Sequence, residues 1–245
     1  MKRKPSLRIL ALRIACVVAG LYLIAAYLVF PRMGERKALL HPDLLDGARL
    51  THTGNDLPGD PLNISLIGTE EEIVRALVLA SWRPADALSF RSSVRIVVDT
   101  VLSEPDPNAP VSNLYLYGRR EDLAFEKPIG HSPRERNHVR FWKSAHEEGG
   151  RPIWMGAATH DVGVELSRTT EQVTHRIAPD VDSERDLLLN DLKAANCLAE
   201  VRWVSGFHKE LNGRNGGGDP WHTDGRLAVG VLAIGVIPSV KIDSQ

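Results

Sequence analysis

Seventeen residues in a row, Ile14 to Phe30, carry no charge, and Pro31-Arg32 closes the run. A stretch like this has few options. In lipid every backbone amide and carbonyl must be satisfied within the segment, so it spans as a helix or not at all. At 1.5 Å per residue it makes about 25 Å of helix, a little short of a hydrocarbon core of about 30 Å. Adding Ile9 to Leu12, with Arg13 snorkelling, gains more than a turn. The reading is one slightly tilted membrane span. A cleaved signal peptide fits less well, because the run exceeds the usual apolar length and no small-x-small site follows Phe30. Cys16 does not make a lipoprotein signal, since Arg13 stands where such a signal needs an apolar residue.

Charge on either side of this run sets the orientation. Residues 1–13 hold Lys2, Arg3, Lys4, Arg8 and Arg13 and no acid. Arg32, Arg36 and Lys37 follow the span. Five positive charges before and three after leave the amino terminus in the cytoplasm and the rest outside. The formal net charge of −1 therefore divides into a +5 stub and −6 for residues 14–245. An acidic exported part argues against nucleic acid as a partner. Two cysteines, Cys16 and Cys197, make neither a disulfide framework nor a cysteine zinc site. With Cys16 in lipid, no disulfide within the chain is expected.

Beyond the span the organisation reads in two parts. Residues 31–61, with Pro31, Pro42, Pro58 and Pro61 among several glycines, read as a linker. Residues 62–245 read as one domain, long enough to bury its own core. Asn63 to Gly68 reads as a short strand. Thr69-Glu70-Glu71-Glu72 is a capping box, and the helix after it aligns Ile73, Val74, Leu77, Val78 and Ser81. Phe90, Val94, Val97, Val98 and Val101 suggest a second helix. Strands are expected over Asn113–Gly118, Asn137–Lys143, Ile153–Thr159 and Gln172–Ile177. Pro179 to Asn196 reads as a helix capped near Asp182 or Ser183, with Leu188, Leu192 and Ala195 on one face. Val201–Phe207 and Leu227–Ile237 are the last pair of strands, joined by the glycine-rich Asn212–Gly225 as a mobile hairpin connection. Strands in succession without strict helix alternation give α+β. The expected fold is a mainly antiparallel sheet with about three packed helices, preceded by one amino-terminal transmembrane helix.

Several motifs carry a resemblance. They are Pro61-Leu62-Asn63, Pro110-Val111-Ser112, Leu123-Ala124-Phe125-Glu126, His138-Val139-Arg140-Phe141-Trp142 and Pro179-Asp180-Val181-Asp182. Together they make residues 61–195 similar to the LssY C-terminal domain family, a bacterial group. The resemblance implies a domain that often follows membrane-spanning segments, in some members a phosphatase-like one. It supplies no reaction. Because a single span precedes the domain here, an associated membrane phosphatase would be a separate chain.

The residues themselves offer two chemistries. His138, His160, Asp161, His175, Asp180 and Asp182 lie on or at the ends of the middle strands. If those strands are neighbours, three imidazoles and a carboxylate converge and can bind a metal and activate water, or act as an acid–base set. His138, Asp161 and His175 are the catalytic candidates. No recognised ligand spacing such as His-Glu-x-x-His is present, so neither metal nor cofactor is specified. Arg134, Arg136, Arg140 and Lys143 cluster, with Arg168 and Arg176 on the next elements. Arginine forks suit phosphate or carboxylate, and Arg140 and Arg168 are the anion-binding candidates. A plainer reading stands beside each. Asp180 and Asp182 serve as helix-start acids, and the arginines pair with Glu126 and Glu135 on a strand face. Gly130-His131-Ser132-Pro133-Arg134 is no nucleophile elbow, and the Gly216–Gly218 loop is no P-loop. The expectation is an envelope module that binds an anionic, lipid-like ligand or a membrane-protein partner. The alternative is a hydrolase, metal-assisted or not, acting on a phosphorylated lipid or other anionic substrate.

Overall fold

The computed structural model describes residues 7–24, 48–85, 113–129, 135–166 and 173–235, without the side chains of residues 7–12, 23–24, 164–166 and 173–175. The expected helix around Phe90–Val101 and the motif Pro110-Val111-Ser112 lie outside the described residues.

Helix α1 runs Leu7–Ile24, about 27 Å by its rise. It begins before the charge-free run and includes Arg8 and Arg13. Ile14, Val17, Val18, Leu21 and Tyr22 are exposed on it. Among the described residues no helix is long and apolar enough to cross a membrane.

The remainder is α+β. The larger sheet takes its order from β11 (Leu198–Val204), β14 (Leu227–Leu232), β3 (Ile64–Ile67), β9 (Arg151–Leu166), β8 (Arg136–Glu148), β7 (Leu123–Pro128) and β4 (Arg83–Pro84), with β10 (Val173–Ile177) also on β9. β14 pairs with β3 in parallel, and the other named strand pairs are antiparallel. β8 and β9 form the long central hairpin. Gly149 and Gly150 join them with φ of 59° and 75°, the left-handed pair that a two-residue hairpin turn needs. A smaller sheet has the order β2 (Pro58–Pro61), β1 (Leu50–Thr53), β5 (Leu114–Leu116), β6 (Arg119–Arg120). β12 (Asn212–Arg214) and β13 (Pro220–His222) make a separate hairpin.

Strand alternation builds two cores on the two faces of the large sheet. On one face Val139, Phe141, Trp154, Ala158 and Ala228 pack under helices α2 (Glu70–Leu79) and α3 (Val181–Ala194). On the other, Trp142, Ala157 and Leu227 pack with Leu114 and Leu116 of the smaller sheet. The capping box at Thr69 is present, with the Glu72 amide donating to its hydroxyl and Glu72 Oε2 accepting from its amide. Asp180, not Asp182 or Ser183, caps α3.

Two expectations need correction. The segment 31–61 is not all linker, because its end forms β1 and β2. Pro58 and Pro61 sit on β2, an edge strand of its sheet, where a missing amide costs least. The glycine-rich connection is a packed hairpin. A Cβ on Gly213 would strike the Trp221 ring, and Asn215 Oδ1 accepts from the Gly217 and Asp219 amides.

Candidate functional site

The register of three strands assembles a buried polar cluster on the face toward the smaller sheet. Alternation with Trp142 puts Arg140, His138 and Arg136 of β8 on that face. His138 stands directly between Glu126 of β7 and Thr159 of β9. Arg140 stands between Ala124 and Ala157, two small side chains that leave the guanidinium room. Arg136 stands opposite Asp161. His138 is fully buried and Thr159 is 1 % exposed.

The charges answer one another. Arg136 Nη1 lies 2.8 Å from Glu126 Oε2, and its Nε lies 3.4 Å from Asp161 Oδ2. Arg140 Nη1 is 3.5 Å from Asp60 Oδ2, supplied by β2. Asn215 of the glycine-rich hairpin donates to the other oxygen of Asp60 at 3.2 Å. Burial raises the Asp60 carboxyl above its ordinary range against the pull of Arg140. Asp161 is pushed up to about 7, because burial outweighs Arg140 and Arg136 and the nearby Asp60 adds to it. Thr159 Oγ1 and Trp142 Nε1 are buried with no hydrogen-bond partner among the described residues.

The candidates of the sequence divide accordingly. His138, Asp161 and Arg140 share this face. His160 does not join them: it is adjacent to Asp161 on β9, so its side chain points to the helix face. There its Nε2 is buried without a partner among the described residues. The backbone of His175, on β10, pairs with Val164 of β9, but the His175 side chain lies outside the described residues, as does all of Arg168. The expected convergence of three imidazoles is therefore lost for His138 and His160. Among the described residues no group of three His, Cys, Asp or Glu side chains can hold a metal ion.

Residues of the Pro61-Leu62-Asn63 and Pro179-Asp180-Val181-Asp182 segments hold the fold around this cluster. Asn63 donates to the Ala158 and Val181 carbonyls and accepts from the Ala158 amide, fastening β3 to β9 and the start of α3. Asp182 accepts from Arg185 at 2.9 Å and from the Thr223 hydroxyl, and its second oxygen accepts from the Asp224 amide. Asp180 caps α3. The plainer reading of both acids holds.

A family model described as the LssY C-terminus matches residues 42–227, from before β1 to the first residue of β14. The chain belongs to the LssY C-terminus family. No curated protein and no solved structure matches it. The LssY C-terminus match takes in β1 and β2, in keeping with their place in the fold.

Asp60, Thr159 and Asn215 were not visible as site residues in the sequence. Asp60 lies in a Pro/Gly-rich stretch and meets Arg140 across eighty positions. The pattern of β8 carried a signal for Arg136, since it repeats at two-residue spacing with His138 and Arg140.

Proposed function

We propose that this LssY C-terminus chain is a membrane-anchored module that holds its domain outside the cytoplasm and binds a ligand or a membrane-protein partner without turning it over. One observation carries the non-catalytic part: His138 and His160 face opposite sides of the sheet, and the charges beside His138 are paired with one another. An open reaction site needs polar groups directed at a substrate, whereas Arg136, Glu126, Arg140 and Asp60 are directed at each other. Buried polar networks of this kind specify one packing of a core more than they supply chemistry.

The anchor rests on the charge-free run from Ile14 to Phe30, on the basic residues before it, and on the exposed apolar side chains of α1. The described helix ends at Ile24, short of the run's end. Membrane fractionation in high salt tests it. The full chain is expected to stay with the membrane until detergent is added, and release by salt alone would sink the anchor.

A second reading keeps one supporting observation. Asp161, half-protonated near neutral pH, shares a face with His138, as an acid–base pair in a hydrolase would. Phosphoester hydrolysis by the purified chain, lost in both His138→Ala and Asp161→Asn while the fold persists, would favour the hydrolase. No hydrolysis above background is the result expected for a binding module.

A further inference from the structure

β11, at the end of the large sheet, is hydrogen-bonded on one side only among the described residues. Its partner there is β14, in antiparallel register from Glu200–Val231 to Val204–Leu227. An open strand edge presents a row of amides and carbonyls and is a template for another strand. Proteins that keep such an edge single use short strands, prolines, bulges or inward-pointing charges, and the bulge of β11 is confined to its first residues. β11 has seven residues and no proline, and Trp203 and Val204 are 41 % and 45 % exposed.

The order of side chains says which strand fits. Around Val201 the sequence Leu198-Ala199-Glu200-Val201-Arg202-Trp203-Val204 is complementary to its own antiparallel copy. A two-fold axis through Val201 sets Glu200 against Arg202 of the second copy, and Arg202 against its Glu200. Directly opposed unlike charges stabilise a strand pair, and like charges oppose it. Slipping the register removes both charge pairs together. β11 carries a bulge at Ala199, where the pairing with β14 gains a residue, so its regular stretch is Glu200–Val204 and the two Glu200–Arg202 pairs about Val201 fall within it. Within one chain Glu200 is 57 % exposed and lies 3.5 Å from Arg202 Nε, and Arg202 also meets Glu148 at 2.6 Å. These contacts hold Arg202 in an ordered position at the edge.

We propose that β11 is a self-association edge, at which two copies of this chain pair antiparallel about Val201 and join their large sheets into one. Isologous interfaces of this kind follow from a two-fold axis, which makes every contact occur twice.

The test is charge reversal and its compensation in the full chain purified in detergent, read by light scattering with the detergent contribution subtracted. The wild-type chain is expected to dimerise with concentration. Glu200→Arg places like charges opposite each other twice, and Arg202→Glu does the same with the other sign. Each is expected to weaken dimerisation roughly tenfold or more. The double variant Glu200→Arg/Arg202→Glu restores unlike pairs and is expected to recover the dimer. Both positions are at the surface, and circular dichroism melts verify that each variant folds. A wild-type chain that stays monomeric over the whole range, or a folded double variant that stays as weak as the singles, overturns the proposal. So does dimerisation unaffected by either single reversal.

Discussion

Asp161 Oδ2 lies 3.4 Å from Arg136 Nε, and the Asp161 carboxyl nevertheless holds its proton up to about pH 7. Desolvation in a closed cluster outweighs two neighbouring guanidinium groups. An acid that titrates high when folded and near 3.8 when unfolded makes the folded state the better proton binder between those values. Stability then falls as pH rises through that interval and levels off above it. Glu184 of α3 is 3 % exposed and pushed up to about 8 by burial and by Asp191 and Asp161, so it acts in the same direction. The chain is expected to lose stability steadily from about pH 4 to about pH 8, on the order of 4 kcal/mol from Asp161 alone. Glu184→Gln removes the Glu184 titration without changing shape. Urea midpoints measured across this range should decline less steeply in the variant than in the wild type. Equal slopes would refute the assignment of Glu184.

Arg136 faces two carboxylates at once, and removing it exposes both to each other in a buried setting. Arg136→Ala is expected to cost about 3–5 kcal/mol at pH 8, as for a broken buried ion pair. The loss should shrink at pH 5, where Asp161 is protonated. Chemical denaturation at the two pH values checks both statements.

The Thr69 cap is a local feature with a local cost. Thr69→Ala removes the acceptor for the Glu72 amide and half of the reciprocal pair. The expected destabilisation is about 1 kcal/mol, read as a lower urea midpoint with an unchanged slope.

Gly156 lies where β9 crosses beneath a ring. A Cβ there would come within 2.6 Å of Phe141 Cε1 and 2.8 Å of Ile64 Cγ2. Both neighbours are fully buried, so neither has space to withdraw. Gly156→Ala is expected to cost about 1–3 kcal/mol by overpacking, measured by thermal melting. A variant as stable as the wild type would mean that the Phe141 ring gives way freely.

Local signals survived the passage from sequence to structure, and long-range ones did not. The Thr69–Glu72 box, the Leu188/Leu192 face of α3 and the alternation of β8 each depend on residues a few positions apart. They were readable because their physics is local. The meeting of Arg140 with Asp60, and of Asp60 with Asn215, depends on which strands become neighbours. No periodicity within either segment encodes it. β7 went unread as a strand because Leu123-Ala124-Phe125-Glu126-Lys127-Pro128 shows a weak alternation and ends in proline. The separation of His160 from Asp161 was legible in principle, since adjacent residues on one strand point to opposite faces. What the sequence withheld was the register that places His138 on the Asp161 side.

The parallel partnership of β3 and β14 has a bearing on how the chain is made. Ile64 lies beside Ala228 on one side and Gly156 on the other. The strand in the middle of the sheet is thus one of the first synthesised, and neither neighbour exists until much later. Loop closure over such separations is slow, because entropy is spent before contacts repay it. The sheet cannot be completed until the ribosome has released β14, and a chain stopped before Leu227 would leave the β14 side of β3, with its buried Ile64, Leu66 and Ile67, as a bare strand edge.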